Sequence, residues 1–193
     1  MKFDIIIIGA GASGLEKGMT KLAEGKRVAI VSAGRSTISI RYAAEDIMDY
    51  DARLKEGVKK EFDLRNAFRR QGGVLFEGDE VIGAKVTEKN GKWEVTGLTT
   101  RKLQDETLVA DEYYLAAGKF FSKGLRSSYM GIEEPIFGLD VVVPQTPAEW
   151  IAQDFNAEQP FMKAHVATTE NGCGIKGGKD FTNLMCIGTI ANK

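Results

Sequence analysis

Short apolar runs alternate with polar stretches along this chain. Ile5, Ile6, Ile7 and Ile8 follow Asp4 directly. That run is too short to cross a membrane and suits a strand buried on both faces. Residues 15–24 set Leu15, Met19, Leu22 and Ala23 at helical spacing and predict a helix stopping at Gly25. Residues 27–32, rich in valine and isoleucine, predict a second strand. Further on, residues 61–71 predict a helix with Phe62, Leu64, Ala67 and Phe68 inward and Arg65, Arg69 and Arg70 outward, closed by Gly72-Gly73. Val74 opens a strand-rich stretch. Runs at 81–88 and 92–98 flank Asn90-Gly91, a hairpin turn in which both residues tolerate positive φ. A third run, 106–115, leads into Ala116-Ala117-Gly118. Residues 147–153 predict a short helix with Thr146 as N-cap and Pro147 in its first turn. Residues 183–190 predict a last buried strand ending at glycine.

The first junction carries the clearest chemistry. Gly9, Gly11 and Gly14 stand at G-x-G-x-x-G spacing between the isoleucine strand and the first helix. In such a turn the first glycine allows the tight bend, the second lets backbone approach a pyrophosphate, and the third lets helix and strand pack closely. Backbone amides opening the helix, over Gly11, Ala12, Ser13 and Gly14, favour an anion there. Strand, turn, helix and strand fit within about 30 residues, as a βαβ nucleotide-binding unit requires. The fold expected is therefore α/β and Rossmann-like, of the FAD/NAD(P)-binding kind, with a parallel central sheet, a β-meander and a small irregular cap region.

A unit of this kind ordinarily ends its second strand on Asp or Glu, which binds the adenosine ribose. Here Ser32 stands at that place, followed by Ala33, Gly34 and Arg35. One neutral hydrogen bond is weaker than a charge-assisted one. FMN is accordingly the expected cofactor, with FAD as the alternative.

Length and charge narrow the class. A chain of 193 residues suits a single nucleotide-binding domain over 1–193, with a divergent connection at 36–62 and an irregular cap-like insertion at 119–169. The formal charge of −1 gives no reason to expect nucleic-acid binding. The isoleucine run leads straight into the glycine motif, so no leader segment is expected, and a cytoplasmic protein is the default. Cys173 and Cys186 lack metal-ligand spacing, and no metal is expected. The single histidine, His165, reads as structural or as a general acid or base. Lys119 is either solvated or placed beside a cofactor, and Lys123 and Arg126 are candidate phosphate ligands.

Several segments occur in an order that resembles a known family. They are residues 3–34, Phe68-Arg69-Arg70-Gln71-Gly72-Gly73-Val74, Gly78-Asp79-Glu80-Val81, residues 116–125, Gly131 through Val141, and Asn183 through Gly188. Together they resemble the B-subunit family of the anaerobic glycerol-3-phosphate dehydrogenases. Relative to that family the chain is shortened in the middle and after Thr189. The resemblance implies a flavin-dependent electron-transfer subunit of a complex that oxidises glycerol 3-phosphate to dihydroxyacetone phosphate and passes electrons to quinone. It implies two partners, a flavoprotein A-subunit, which holds the substrate site, together with an iron–sulfur C-subunit, and membrane contact only through a partner. On that implication the chain is cytoplasmic or peripheral at the inner face of the membrane. Cofactor contacts would come from Gly9, Gly11, Ala12, Ser13, Gly14 and Ser32, and from Ala117, Gly118, Gly188 and Thr189, where Gly188-Thr189 replaces the family's Gly-Asp pair. An independent flavin oxidoreductase of fumarate-reductase-like type, and a non-enzymatic remnant or assembly module of the same fold, are the competing readings. The residues single out no catalytic group.

Overall fold

A computed structural model describes residues 1–34, 38, 47–103, 105–143, 146–154 and 156–192. Its first unit is β1 (Lys2–Ile8), α1 (Ala12–Ala23) and β2 (Val28–Ser32). Then come α2 (Tyr50–Arg70), β3 (Val74–Glu77), β4 (Val81–Lys89), β5 (Lys92–Thr100) and β6 (Val109–Leu115). Residues between β6 and the last strands hold the hairpin β7 (Arg126–Ser128) and β8 (Gly131–Glu133), and the pair β9 (Val141–Val142) and β10 (His165–Val166). The chain returns through β11 (Cys173–Lys176) and β12 (Lys179–Cys186).

Among the described residues the central sheet runs β3-β2-β1-β6-β12-β5-β4, with β11 added antiparallel to β12. The strands from β3 through β12 run parallel. The four isoleucines divide as a pleated strand demands. Ile5 and Ile7 pack with Leu15, Val28, Ile30 and Phe68 on the helical face. Ile6 and Ile8 face the other way, into a core with Ala29, Val31, Tyr113 and Leu115. Burial on both faces explains the unbroken apolar run.

The hairpin β4–β5 turns at Asn90 and Gly91, both at positive φ, as their sequence predicts. The run expected at 106–115 divides: Leu108 bridges Leu98 antiparallel, and β6 then pairs parallel with β1. β12 enters between β6 and β5. Its seam with β5 is completed by the Asn183 side chain, which accepts from the Val95 amide and donates to the Val95 carbonyl, each at 2.9 Å.

Three expectations are corrected. Residues 50–62 belong to α2, although 36–62 reads as a connection without regular structure. That part of the helix has no apolar stripe to reveal it: Phe62 is 61% exposed, while Glu61 and Arg65 are buried in its stead. Residues 36, 37 and 39–46 of that connection lie outside the described residues. The helix expected at 147–153 is one 3₁₀ turn, Pro147–Glu149. The Glu149 carboxylate accepts from the Thr146 amide and hydroxyl, as a cap should, but the Ala152 amide is taken by the Gln159 side chain rather than by a helical carbonyl. The last strand ends at Cys186, and Gly188–Ala191 forms a 3₁₀ turn.

Candidate functional site

β1, β2, β6 and β12 end at one level. Ile8 is in register with Val31 and with Leu115, and Leu115 with Cys186. From β1 the chain crosses to β2 on one side, while β6 lies on the other. This is the topological switch at which open parallel sheets bind ligands, beyond the carboxyl ends of their strands. Four loops converge there, around residues 9–13, 32–34, 116–118 and 187–189. They bound a cavity of about 710 Å³.

The glycine turn forms the floor. Gly9 adopts φ +109°, and a Cβ on it would stand 2.4 Å from the Ala116 carbonyl oxygen. Gly14 packs the start of α1 onto that turn, since a Cβ there would stand 2.1 Å from the Gly9 carbonyl oxygen. Gly11 differs: beyond its own chain neighbours, no protein atom lies within 4 Å of its Cβ position. Close packing therefore explains Gly9 and Gly14, while Gly11 faces space a ligand would fill. α1 begins at this point without a side-chain cap and without an acidic residue in its first turn. Its opening amides and dipole are left for an anion. Another wall comes from the turn after β12, where Gly188, at φ +72°, brings backbone against Ser13; a Cβ there would meet Ser13 Oγ at 2.7 Å.

Of the ten residues expected at the site, Gly9, Gly11, Ala12, Ser13, Ser32, Ala117, Gly118, Gly188 and Thr189 line the cavity. Gly14 lies beneath it as a packing residue. Ser32 is buried and donates its hydroxyl hydrogen to the Gly34 carbonyl at 2.8 Å. Lys123 and Arg126 also line the cavity, at the end shared with Phe121 and Ser122. Lys119 does not. Its ammonium donates to the Met162 carbonyl at 2.8 Å, and burial holds its pKa below the usual lysine value. His165 bonds through Nδ1 to the Lys163 carbonyl and is not among the residues lining the cavity. Cys173 and Cys186 are free thiols. Among the described residues no His, Cys, Asp or Glu cluster could hold a metal, and no helix is long and apolar enough to cross a membrane.

Asp79, Glu80 and Val81, which the sequence offers only as part of the family resemblance and with no site role, line the end beside Ser32 together with Arg101, which it does not single out. Asp79 is buried, accepting from Thr100 Oγ1 at 2.7 Å and from the Lys102 amide at 2.9 Å. Glu80 takes a two-pronged contact from Arg101, at 3.1 Å from Nε and 2.8 Å from Nη2. A turn acid after a strand carries no periodic signal, and only the folded sheet brings it beside β2. Glu134, inside the 131–141 segment of the family resemblance, is a second buried carboxylate to which the sequence assigns no role. Burial pushes its pKa up, against the opposing pull of the backbone amides it accepts from, at Ile136, Phe137 and Leu139. It thereby shapes the loop that presents Pro135 and Ile136 to the cavity.

The chain is similar to curated proteins named as the B-subunit of anaerobic glycerol-3-phosphate dehydrogenase. It is 33% identical to that of Aliivibrio fischeri over 142 residues, 37% to that of Vibrio cholerae over 136, and 39% to that of Actinobacillus succinogenes over 132. These alignments cover 69%, 69% and 66% of this chain, but only 31%, 30% and 30% of the relatives. The chain thus spans about three tenths of the length of those relatives. Among solved structures, Thermovibrio ammonificans THI4 aligns over 99% of this chain and 78% of its own, with a TM-score of 0.51 and 15% identity, a likeness of fold. Residues 50–193 match the family described as FAD binding domain, and the chain belongs to that family.

Proposed function

We propose that this chain is the flavin-binding core of an electron-transfer subunit, the B-subunit, of the anaerobic glycerol-3-phosphate dehydrogenase type. The observation that carries the flavin part is the open position at Gly11 beside the uncapped start of α1. The dehydrogenase part rests on the names of the relatives, which also suggest partner subunits. On the family resemblance those partners are the flavoprotein A-subunit, which holds the substrate site, plus the iron–sulfur C-subunit, and membrane contact would run through them.

FAD is the favoured flavin. The cavity does not stop at the glycine turn but continues past it to Ser32, Gly34, Asp79 and Val81, the side on which an adenosine half would lie. FMN, expected from the missing acid at the end of β2, would leave that end unused. The family's own description also names FAD.

A bound flavin would supply the electron-carrying chemistry, and the protein would supply position and field. In this reading the amides of Ala12 and Ser13, opening α1, hold the phosphates, and Gly11 lets them approach. Ala117, Gly118 and Thr189 would bound the ring-side end, and Gly188, set against Ser13, would stand beside the phosphates. Lys123 and Arg126 give that end a positive character suited to an anion or to added electron density.

The test is direct. The purified, folded chain is titrated with FAD and FMN while its visible absorbance and fluorescence are followed, and then combined with the flavoprotein and iron–sulfur partners for quinone reduction. FAD binding, and electron delivery that depends on this chain, are the expected results. A folded protein that refuses both flavins overturns the reading. Substrate oxidation by the chain alone would replace it with an independent oxidoreductase.

A further inference from the structure

We propose that Arg65, on α2, is a positioning residue that fixes the 32–34 loop so that Ser32 takes the place of the missing ribose-binding carboxylate. This rests on the flavin reading above and assigns the means by which an adenosine half is recognised.

Helical spacing sends Arg65 outward, to solvent. In the fold it is 7% exposed, and its guanidinium is spread over three partners. Nη2 donates to Glu61 at 2.8 Å and to the Gly34 carbonyl at 3.1 Å, and Nη1 donates to Glu77. Glu61 is itself 5% exposed, and Glu77 also receives Arg69. Among the described residues the cluster joins Arg65 and Arg69 to Glu61 and Glu77, and one of its hydrogen bonds leaves it for a loop that lines the cavity. A planar fork can meet these separate acceptors at once, and a lysine ammonium on a flexible stem does so poorly.

The consequence lies at the Gly34 carbonyl. It accepts from Arg65 and, at 2.8 Å, from the Ser32 hydroxyl. Ser32 is thereby committed as donor to the protein, and the remaining capacity of its Oγ is that of an acceptor. A carboxylate at the end of β2 ordinarily accepts from a ribose hydroxyl. Ser32 lines the cavity with the same hydrogen-bonding sense, one oxygen offered and no proton to give. Its backbone carbonyl is held in turn by the Asp79 amide at 3.2 Å. β3 joins the device, because Ser32 pairs in register with Glu77.

The role separates FAD from FMN, because only FAD carries an adenosine ribose. FAD and FMN are titrated into the wild-type chain, Arg65→Lys, Ser32→Ala and the double variant, with thermal melting of the flavin-free proteins as the check on folding. Losing one neutral hydrogen bond corresponds to roughly tenfold in affinity. Arg65→Lys and Ser32→Ala are each expected to weaken FAD by about that factor and FMN by less than about twofold. The double variant is expected to lose little more than either alone, since the two act on one carbonyl. Should Arg65→Lys fail to fold, Glu61→Gln with Arg65→Gln removes both buried charges together and is expected to show the same FAD-selective loss.

Equal loss of FAD and FMN, unchanged FAD binding, or fully additive losses would overturn the assignment to Arg65 and leave the flavin reading in place. Wild-type protein that binds FMN as tightly as FAD would do the same. Wild-type protein that binds neither would overturn both.

Discussion

Two glycines three residues apart are expected to fail in opposite ways when each is replaced by alanine. In Gly14→Ala the new methyl would stand 2.1 Å from the Gly9 carbonyl oxygen, a backbone atom with no rotamer to change. α1 must lift off β1 by most of an ångström, and overpacking of this kind costs about 1–3 kcal/mol. The upper end applies, because backbone meets backbone. For a chain of this size each kcal/mol moves the melting midpoint by about 2–4 °C, so a fall of roughly 6–12 °C is expected. In Gly11→Ala the methyl enters open space at φ −77°, a conformation any residue adopts. Loss of glycine at the N-cap costs about 0.5–1 kcal/mol. Reduced freedom of the unfolded chain offsets about 0.4–1 kcal/mol of that. The flavin-free protein should therefore melt within about 3 °C of wild type. Its flavin affinity should fall about tenfold to a hundredfold, because charge-assisted amide–phosphate bonds of about 1.5–3 kcal/mol are pushed apart. Differential scanning fluorimetry without flavin, and fluorescence titration with FAD, separate the two effects. Unchanged flavin affinity in Gly11→Ala would refute the idea that backbone meets phosphate at this turn. A wild-type melting midpoint in Gly14→Ala would refute the packing argument.

Phe68 is fully buried against Gly18 of α1 and against Gly73, so Phe68→Ala should lower stability to urea by about 3–5 kcal/mol. Burial pushes the Glu77 carboxyl up, but hydrogen bonds from Arg65 and Arg69 outweigh it and hold its pKa below the ordinary value of 4.5. Its stabilising contribution is thus fully present above pH 4.5 and is lost as pH falls through the lowered folded-state value. Melting midpoints of wild type and Glu77→Gln should accordingly converge as the pH is taken below 4.5, and parallel curves would contradict the pairing. Because Cys173 and Cys186 are free thiols, dithiothreitol should leave the melting midpoint where it is, and a clear fall would reveal a disulfide.

Local pattern alone disclosed the first βαβ unit, the Asn90-Gly91 hairpin and the phosphate-ready turn. Each depends on neighbours within a few residues: a run of isoleucines buried on both faces, two residues that tolerate positive φ, three glycines at one spacing. α2 escaped the pattern for the converse reason. Its outer half carries Lys59 and Asp63 as an exposed i,i+4 pair at 2.9 Å and leaves Phe62 in water, so no apolar stripe marks it. Arg65 departs from its pattern for the same cause. Spacing assigns an arginine to solvent, and only the arrival of Glu61, Glu77 and the Gly34 carbonyl around it makes burial tolerable. The cavity is likewise a product of tertiary structure. Gly188 comes beside Ser13, and Thr189 beside Gly118, because β12 is inserted next to β6, a choice made by long-range pairing. Sequence by itself therefore determined that a tight glycine turn with nucleotide-binding spacing joins β1 to α1, and where it begins. The folded sheet decided what surrounds it, because strand order brings together loops far apart in the chain and no local signal records their meeting.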